Sequence, residues 1–461
     1  MKIFLVNPSA YGKLLSIDPI LTRCSGVPAK APYLWPPIGL AYIASYIREM
    51  ADVKILDAQA ESLDDDNIVK RCRGADLVVF STSTQTINKD LKLCKKIKKN
   101  GSKIALIGGH ATFFHSTLIK NKSIDFVVRG EPEKILFNLS TNFKNLEKIK
   151  GLTWKDGRKI IINKDEPLTE DLNQFPFADR SLLPNDKYYD ILAKKRPITF
   201  MITSRGCPFN CTFCSSHIYG KKYRYRSAEN VVEEMEDIVS HGFKDISIFD
   251  DTFTINRERV LDIAKLIKHL DISWRCLSRV DTVDKEMLEK MYDSGCYQVQ
   301  FGVESGDERI LNLMRKNISI QKTKDVFKWC DEIGIETVGF FILGYPEETR
   351  ESIEKTINLA EEIQPDFVTF NLLTPLPGSE IFETLKPRKK WENFDFTSTS
   401  FCGIPSKEMQ EIVAEAYRNY YVRVSYLLKR IWKTKDPYRI IKQNIVFWTK
   451  KSGTLWEFLN R

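Results

Sequence analysis

Ile198-Thr199-Phe200-Met201-Ile202-Thr203-Ser204-Arg205-Gly206-Cys207-Pro208-Phe209-Asn210-Cys211-Thr212-Phe213-Cys214 decides the architecture of this chain. Its first six residues are apolar or β-branched and read as a buried strand. A loop comes next, with three cysteines at the spacing Cys-x3-Cys-x2-Cys. Five further strands are expected downstream, at Asp245–Phe249, Trp274–Ser278, Tyr297–Val303, Thr337–Leu343 and Phe367–Leu373. Between them lie stretches with apolar residues at helical spacing: Ala228–Ser240, Arg257–His269, Lys285–Ser294, Thr323–Ile333 and Thr349–Ile363. Six βα units predict a partial (β/α)6 barrel whose chemistry sits on the loops at the carboxyl ends of its strands.

Upstream, a second α/β rhythm runs through the expected strands Lys2–Val6, Val53–Leu56, Leu77–Phe80, Lys103–Ile107 and Phe126–Val128, with helices at Leu40–Arg48 and Lys89–Lys99. This predicts a doubly wound parallel sheet with its ligand at the strands' carboxyl ends, where turn-prone residues cluster. A hairpin is expected around Asp156-Gly157, and a connector rich in Pro, Asp and Phe runs from Glu166 to Pro184. The expected division is 1–150 for the first domain, 151–185 for hairpin and linker, 186–400 for the barrel and 401–461 for a basic helical C-terminal region.

Thiolates suit iron–sulfur clusters and zinc. Three close cysteines leave one metal position without a nearby protein thiolate. A structural zinc site is closed by four protein ligands, so zinc would need His217 or a distant cysteine as the fourth. The cysteine spacing, its place after the first barrel strand and Phe213 before the last cysteine resemble the radical SAM (S-adenosylmethionine) superfamily. Pro375-Leu376-Pro377-Gly378-Ser379 and Leu172-Asn173-Gln174-Phe175-Pro176 resemble its branch with an N-terminal cobalamin-binding domain, so the likeness covers nearly the whole chain.

The resemblance implies that Cys207, Cys211 and Cys214 hold a [4Fe-4S] cluster whose open iron chelates SAM, giving a 5′-deoxyadenosyl radical. It implies SAM contacts from Phe213, from Asp250 and Asp251 to the amino group, from Arg279 to the carboxylate, from Glu304 to the ribose and from Gly339 and Gly344 beside the adenine. Cobalamin is expected against Ser81, Thr82 and Ser83, against Gly108, Gly109, His110 and Thr112, and against Glu131. After the first strand the chain reads Asn7-Pro8-Ser9-Ala10-Tyr11-Gly12, so the Asp-x-His-x-x-Gly motif that supplies a lower cobalt ligand in many cobalamin enzymes is absent. His110 and His115 are the remaining histidine candidates in that region.

Of the net charge of +9, seven charges come from 401–461, where twelve Lys and Arg face five acids. The rest of the chain is close to neutral, which speaks against a nucleic-acid partner. Glu408–Trp432 places Ile412, Tyr417, Tyr420, Val424, Leu427, Leu428 and Ile431 on one helical face expected to pack on the barrel. Further on, Phe447, Trp448, Trp456 and Phe458 interleave with Lys450, Lys451 and Arg461 in a pattern that suits a membrane surface. No secretion signal or spanning segment is evident, and ten cysteines scattered except for the one tight group fit a reducing, cytoplasmic setting. The function expected is cobalamin-dependent radical methylation of an unactivated carbon in a lipid or natural-product-like small molecule, with a flavodoxin or ferredoxin as reductant. A radical cyclase is the runner-up. A non-catalytic cobalamin or zinc module is the reading from another class.

Overall fold

The computed structural model describes residues 1–8, 33–385 and 399–434. Two α/β units share the chain. In the first, parallel strands β1 (Lys2–Asn7), β2 (Asp52–Asp57), β3 (Leu77–Ser81), β4 (Lys103–Ile107) and β5 (Phe126–Val128) lie in the order β2-β1-β3-β4-β5. The two-residue period of these strands splits their apolar side chains between two cores. Ile3, Leu5, Leu77, Val79, Ala105 and Ile107 face the helices Ile38–Ile47 and Pro132–Thr141. Phe4, Val6, Val78, Phe80, Ile104 and Leu106 face the helices Asp65–Arg71 and Ile87–Lys98. A sheet covered on both sides is the doubly wound fold expected, and its order reverses between β1 and β3, where such sheets open a ligand crevice.

The hairpin extends this sheet. Strands β6 (Leu152–Asp156) and β7 (Lys159–Ile162) add to it antiparallel, with Phe126 opposite Trp154. Asp156 pairs with Lys159, so the two-residue turn is Gly157-Arg158, one position beyond the expected one.

The second unit carries six parallel strands in chain order: β8 (Ile198–Met201), β9 (Asp245–Ile248), β10 (Ser273–Ser278), β11 (Cys296–Glu304), β12 (Glu336–Leu343) and β13 (Phe367–Leu372). Strands β8 and β13 do not pair, so the barrel is open, as expected of a (β/α)6 unit. Its main core lies between the strands and the surrounding helices, around Met235, Trp274, Phe301, Phe341 and Phe370.

The open edge at β13 is capped by tyrosines. Helix Ser406–Val422 packs along it, and the N–H groups of Val368 and Phe370 donate to the hydroxyls of Tyr421 (3.0 Å) and Tyr417 (2.8 Å). A bare strand edge would otherwise leave these donors unpaired. Of the expected face, Tyr417 and Tyr420 are buried and Ile412 and Leu427 partly buried on the barrel core, joined by Met409, Val413, Ala416, Tyr421 and Tyr426; Val424 and Leu428 depart from it. Val424 and Leu428 are 70% and 56% exposed. The cause is a break at Arg423 (φ −60°, ψ 131°), which resets the helical phase before the next helix, Val424–Thr434. Phe447, Trp448, Lys450, Lys451, Trp456, Phe458 and Arg461 lie outside the described residues, as do Ser9–Gly12 after β1.

The linker joins the units through a shared core of Ile38, Ala41 and Tyr42 from the first, Ala178 and Leu183 from the linker, and Tyr188, Ile198 and Phe200 from the segment that follows it. At its centre is a buried ionic knot. Glu234, fully buried, accepts from Arg180 (2.8 Å), from Arg226 and from the Tyr42 hydroxyl (2.9 Å). Burial alone would raise the Glu234 carboxyl, but Arg226 and Arg180 outweigh it and hold the group below its ordinary value.

Candidate active site between the two domains

Strand β8 ends two residues before a short antiparallel ladder, Ser204–Arg205 against Arg224–Tyr225, that pinches the neck of the cysteine loop. Gly206 starts the loop at φ +82°. A Cβ there would lie 2.3 Å from the Lys222 carbonyl oxygen, so the two arms of the neck approach too closely for any side chain. Cys207 and Cys211 are buried and Cys214 is half-buried, its thiol 3.2 Å from the Ser216 hydroxyl. The loop is pinned from outside: the Thr212 N–H donates to the Met314 carbonyl (3.0 Å), its hydroxyl lies 2.7 Å from that of Tyr345, and its carbonyl accepts from Ile381 N–H (2.9 Å). Phe213 packs on Ile310, Met314, Tyr345, Leu373 and Ile381.

The expected SAM residues gather at the same end of the barrel, with individual differences. Asp250 is turned inward, accepting from the Thr203 N–H (2.6 Å), the Thr203 hydroxyl (2.5 Å) and the Ser204 hydroxyl (2.6 Å). It fixes the start of the cysteine loop, and the half-buried Asp251 is the acid nearer solvent. Arg279 lies beside the cluster loop: its Nη1 is 3.6 Å from the Cys211 sulfur, and its guanidinium stacks 3.7 Å from the centre of the Phe209 ring. Asp281 grips it from the other side, and the Lys316 carbonyl accepts at 2.6 Å. Glu304 sits at a register shift between β11 and β12 with φ +69°, a left-handed backbone that costs a non-glycine residue energy and is common at ligand sites. Its Oε1 accepts from Lys316 (2.8 Å). Gly339 falls within β12, and the ring of Phe341 and Pro365 occupy the space of its missing side chain. Gly344 follows the strand end, where its N–H donates to Glu348 (2.6 Å). A cavity of about 680 Å³ opens onto Cys211 and is lined by Phe209, Asn210, Lys221, Arg315, Asn317 and Glu380, among others.

The loops of the first domain where cobalamin is expected lie against this site. Gly109 approaches Ile218 of the cysteine segment so closely that a Cβ would lie 3.1 Å from it. Gly378, in the loop after β13, packs on the Phe113 ring. Thr82, Ser83 and Thr86 form a hydroxyl ladder on Asp90, with Thr82 and Thr86 each donating at 2.7 Å. Ser81 Oγ and both polar atoms of the Gln85 carboxamide are buried and have no hydrogen-bond partner among the described residues. Buried polar atoms left unpaired are costly, and these three lie at the carboxyl edge where a doubly wound sheet takes its ligand, so the crevice fits a large polar cofactor. Thr112 closes the turn from Gly108 and accepts from Gly130 N–H (3.0 Å).

His110 donates or accepts at the Thr84 hydroxyl (2.9 Å), and burial lowers its imidazole to about 3, so it is neutral at physiological pH. His115 turns instead to Thr153 of the hairpin (3.1 Å). Glu131 differs from expectation. Its carboxylate is held by Arg224 (2.8 and 3.1 Å) and Arg205 (3.4 Å) of the barrel and by Thr169 N–H (3.3 Å), so it bonds protein rather than facing the crevice. Arg205, Arg224, Glu133, Lys316, Gln85 and Glu348 are not legible as site residues in the sequence. Arg205, Arg224 and Glu133 matter through partners more than seventy positions away, a signal that no local spacing carries.

A single zinc ion needs its ligands around one point, whereas a four-iron cluster gives each thiolate its own iron. Among the described residues no three His, Cys, Asp or Glu side chains gather as one ion requires; the His217 side chain is not among them. The donor set of three thiols on one loop suits the cluster.

Residues 201–360 match the Radical SAM superfamily and residues 25–140 the B12 binding domain. An uncharacterized methyltransferase of Pyrococcus horikoshii is 36% identical over 417 residues, covering 86% of this chain and 90% of the relative. The anaerobic magnesium-protoporphyrin IX monomethyl ester cyclase of Rubrivivax gelatinosus is 29% identical, covering 87% of this chain and 76% of its own. Among solved structures, the cobalamin-dependent S-adenosylmethionine radical enzyme OxsB shares the fold with a TM-score of 0.70 at 16% identity, over 96% of this chain and 70% of that one. The chain belongs to the radical SAM superfamily, in the group that couples a B12-binding domain to the radical SAM barrel and works with a [4Fe-4S] cluster, SAM and cobalamin.

Proposed function

We propose that this protein methylates an unactivated carbon of a small molecule in a cobalamin-dependent radical SAM reaction. The observation that carries the reading is the placement of Gly109, in the loop after β4, against Ile218 of the cysteine segment, next to a β3 edge whose Ser81 and Gln85 polar atoms have no partner among the described residues. When bound, the cluster and SAM supply a radical able to remove hydrogen from carbon, and cobalamin supplies the methyl group.

The chain's own part is to hold, orient and shield. Cys207, Cys211 and Cys214 hold the cluster. Arg279, already beside Cys211, takes the SAM carboxylate, and Asp251 takes its ammonium group. Glu304, fixed by Lys316 and its left-handed backbone, presents its second carboxylate oxygen to the ribose. Ser81, Thr82, Ser83, Gly108, Gly109, His110 and Thr112 line the cobalamin side. A neutral His110 offers a hydrogen bond without adding charge.

The substrate is of the lipid or natural-product class. Exposed Val422, Val424 and Leu428 on the C-terminal helices support contact with a lipid surface, and absence of co-sedimentation with liposomes would count against it. A flavodoxin or ferredoxin is the proposed electron donor. No helix among the described residues is long and apolar enough to cross a membrane.

The test needs no substrate. Reconstituted anaerobically with iron, sulfide and hydroxocobalamin, then given reductant and SAM, the protein is expected to form both 5′-deoxyadenosine and S-adenosylhomocysteine. Cys211→Ala is expected to form no deoxyadenosine. Deoxyadenosine without S-adenosylhomocysteine would instead favour a cyclase-type outcome, as the name of the Rubrivivax relative suggests.

A further inference from the structure

Two arginines bracket the cysteine loop, one on each strand of the ladder at its neck, and both reach into the first domain. Arg224 grips Glu131 through two bonds (2.8 and 3.1 Å), while Arg205 meets Glu133 (2.5 Å) and Glu131 (3.4 Å). All four are buried: Arg205 6%, Arg224 3%, Glu131 8% and Glu133 1% exposed. The acids sit at Glu131 and Glu133, at the start of helix Pro132–Thr141, directly after β5 and the Gly130 that Thr112 secures. The same arginines tie in the linker, with Arg224 donating to the Thr169 carbonyl (2.7 Å) and Arg205 stacking over Phe175. Arg224 also donates to the Tyr219 carbonyl (2.7 Å), inside the cysteine segment itself.

A buried cluster of two acids and two arginines is a poor device for stability alone, since desolvation cancels most of the attraction. What it supplies is a directional, bidentate lock on relative position. We propose that Glu131, Glu133, Arg205 and Arg224 form a clamp that fixes the distance between the cofactor edge of the B12-binding domain and the neck of the cysteine loop. The four are positioning residues, and the proposal rests on the function proposed above. The Glu131 carboxyl agrees with this: burial would raise it, but Arg205 and Arg224 prevail and hold it below its ordinary value.

The experiment uses the full chain loaded with cluster and cobalamin, both reduced to their paramagnetic states, and reads the magnetic interaction between cob(II)alamin and the cluster by electron paramagnetic resonance. Glu131→Gln keeps the shape but replaces one accepting oxygen by an NH2 that cannot accept from the arginines; Arg224→Lys keeps the charge but loses the fork. Both are expected to bind iron and cobalamin as the parent does, yet to show a shifted or broadened cobalt-to-cluster distance. Lys222→Gln, which loses only the exposed pair with Glu170 on the same loop, is expected to keep the parent's distance. The parent's distance in both clamp variants would overturn the proposal. So would loss of iron in step with the change, because the clamp would then serve only to fold the loop. Should the parent itself make no deoxyadenosine, the functional reading fails; should it do so while the variants keep the parent's distance, the clamp alone fails.

Discussion

Replacing Gly206 by alanine tests whether the neck of the cysteine loop sets the cluster site. Two costs add at this position. The left-handed backbone (φ +82°) penalises any L-residue with a Cβ by about 1–2 kcal/mol. The new methyl would also stand 2.3 Å from the Lys222 carbonyl and 3.0 Å from that of Gly220, both backbone atoms that cannot swing away. Overpacking of that kind costs about 1–3 kcal/mol more. Gly242→Ala is the control, because Gly242 has nearly the same φ (+85°) with nothing within 4 Å of the added Cβ, and so carries the first cost without the second. Chemical denaturation of the full chain should place Gly206→Ala below Gly242→Ala by about 1–3 kcal/mol. The decisive readout is iron per chain after anaerobic reconstitution. Relief of the clash must part the two arms of the loop that presents Cys207, so Gly206→Ala should bind less iron while Gly242→Ala binds as the parent does. Equal iron in the two variants would refute the claim that the neck positions the thiols, whatever the stabilities.

Two further outcomes concern buried polar groups. Burial raises the Glu348 carboxyl from 4.5 to about 7, against the two N–H groups of Gly344 and Tyr345 that favour its charge. The native state then keeps a proton that the unfolded chain has lost, so stability falls as pH rises from 4.5 to 7, by up to about 3 kcal/mol, and stays lowered above it. Glu348→Gln retains an acceptor for both N–H groups and should match the parent at pH 5 but exceed it in melting temperature at pH 8; equal melting curves at both pH values would disprove the assignment. At the barrel's open edge, Tyr421→Phe strands the buried Val368 N–H and should cost about 1–3 kcal/mol in urea denaturation. A loss within about 0.5 kcal/mol would mean that water reaches the edge after all.

The strands were legible because apolar runs between turn residues are a local signal. β4 and β5 have their expected limits, and the remaining parallel strands differ by one or two residues at their ends. Ends move because a strand stops where its neighbour stops: β1 reaches Asn7 since Asp57 pairs with it, which Lys2–Val6 alone cannot reveal. The C-terminal face is legible as far as Tyr420 and not at Val424 or Leu428, for a different reason. A single non-helical residue, Arg423, shifts the phase of everything after it, and nothing in a stretch of good helix formers marks that break.

The site divides along the same line. That the cysteine loop, Arg279 and Glu304 come together was legible because each follows or closes a strand, and a parallel barrel brings all its carboxyl ends to one face regardless of the loops between. Glu131 was assigned by the same logic and was the exception, since a residue at a strand end can face the ligand or the neighbouring domain. The difference lies with Arg205 and Arg224, more than seventy positions downstream, and only the docked pair of domains brings those charges together. A charge at a strand end therefore reads as a ligand contact only when no opposite charge from another domain reaches it first. The Gln85 carboxamide, buried and without a hydrogen-bond partner among the described residues, is where a substitution should weaken cofactor binding without loosening the fold, whereas Asp250, held by Thr203 and Ser204, and Glu131, held by Arg224 and Arg205, should loosen it when replaced.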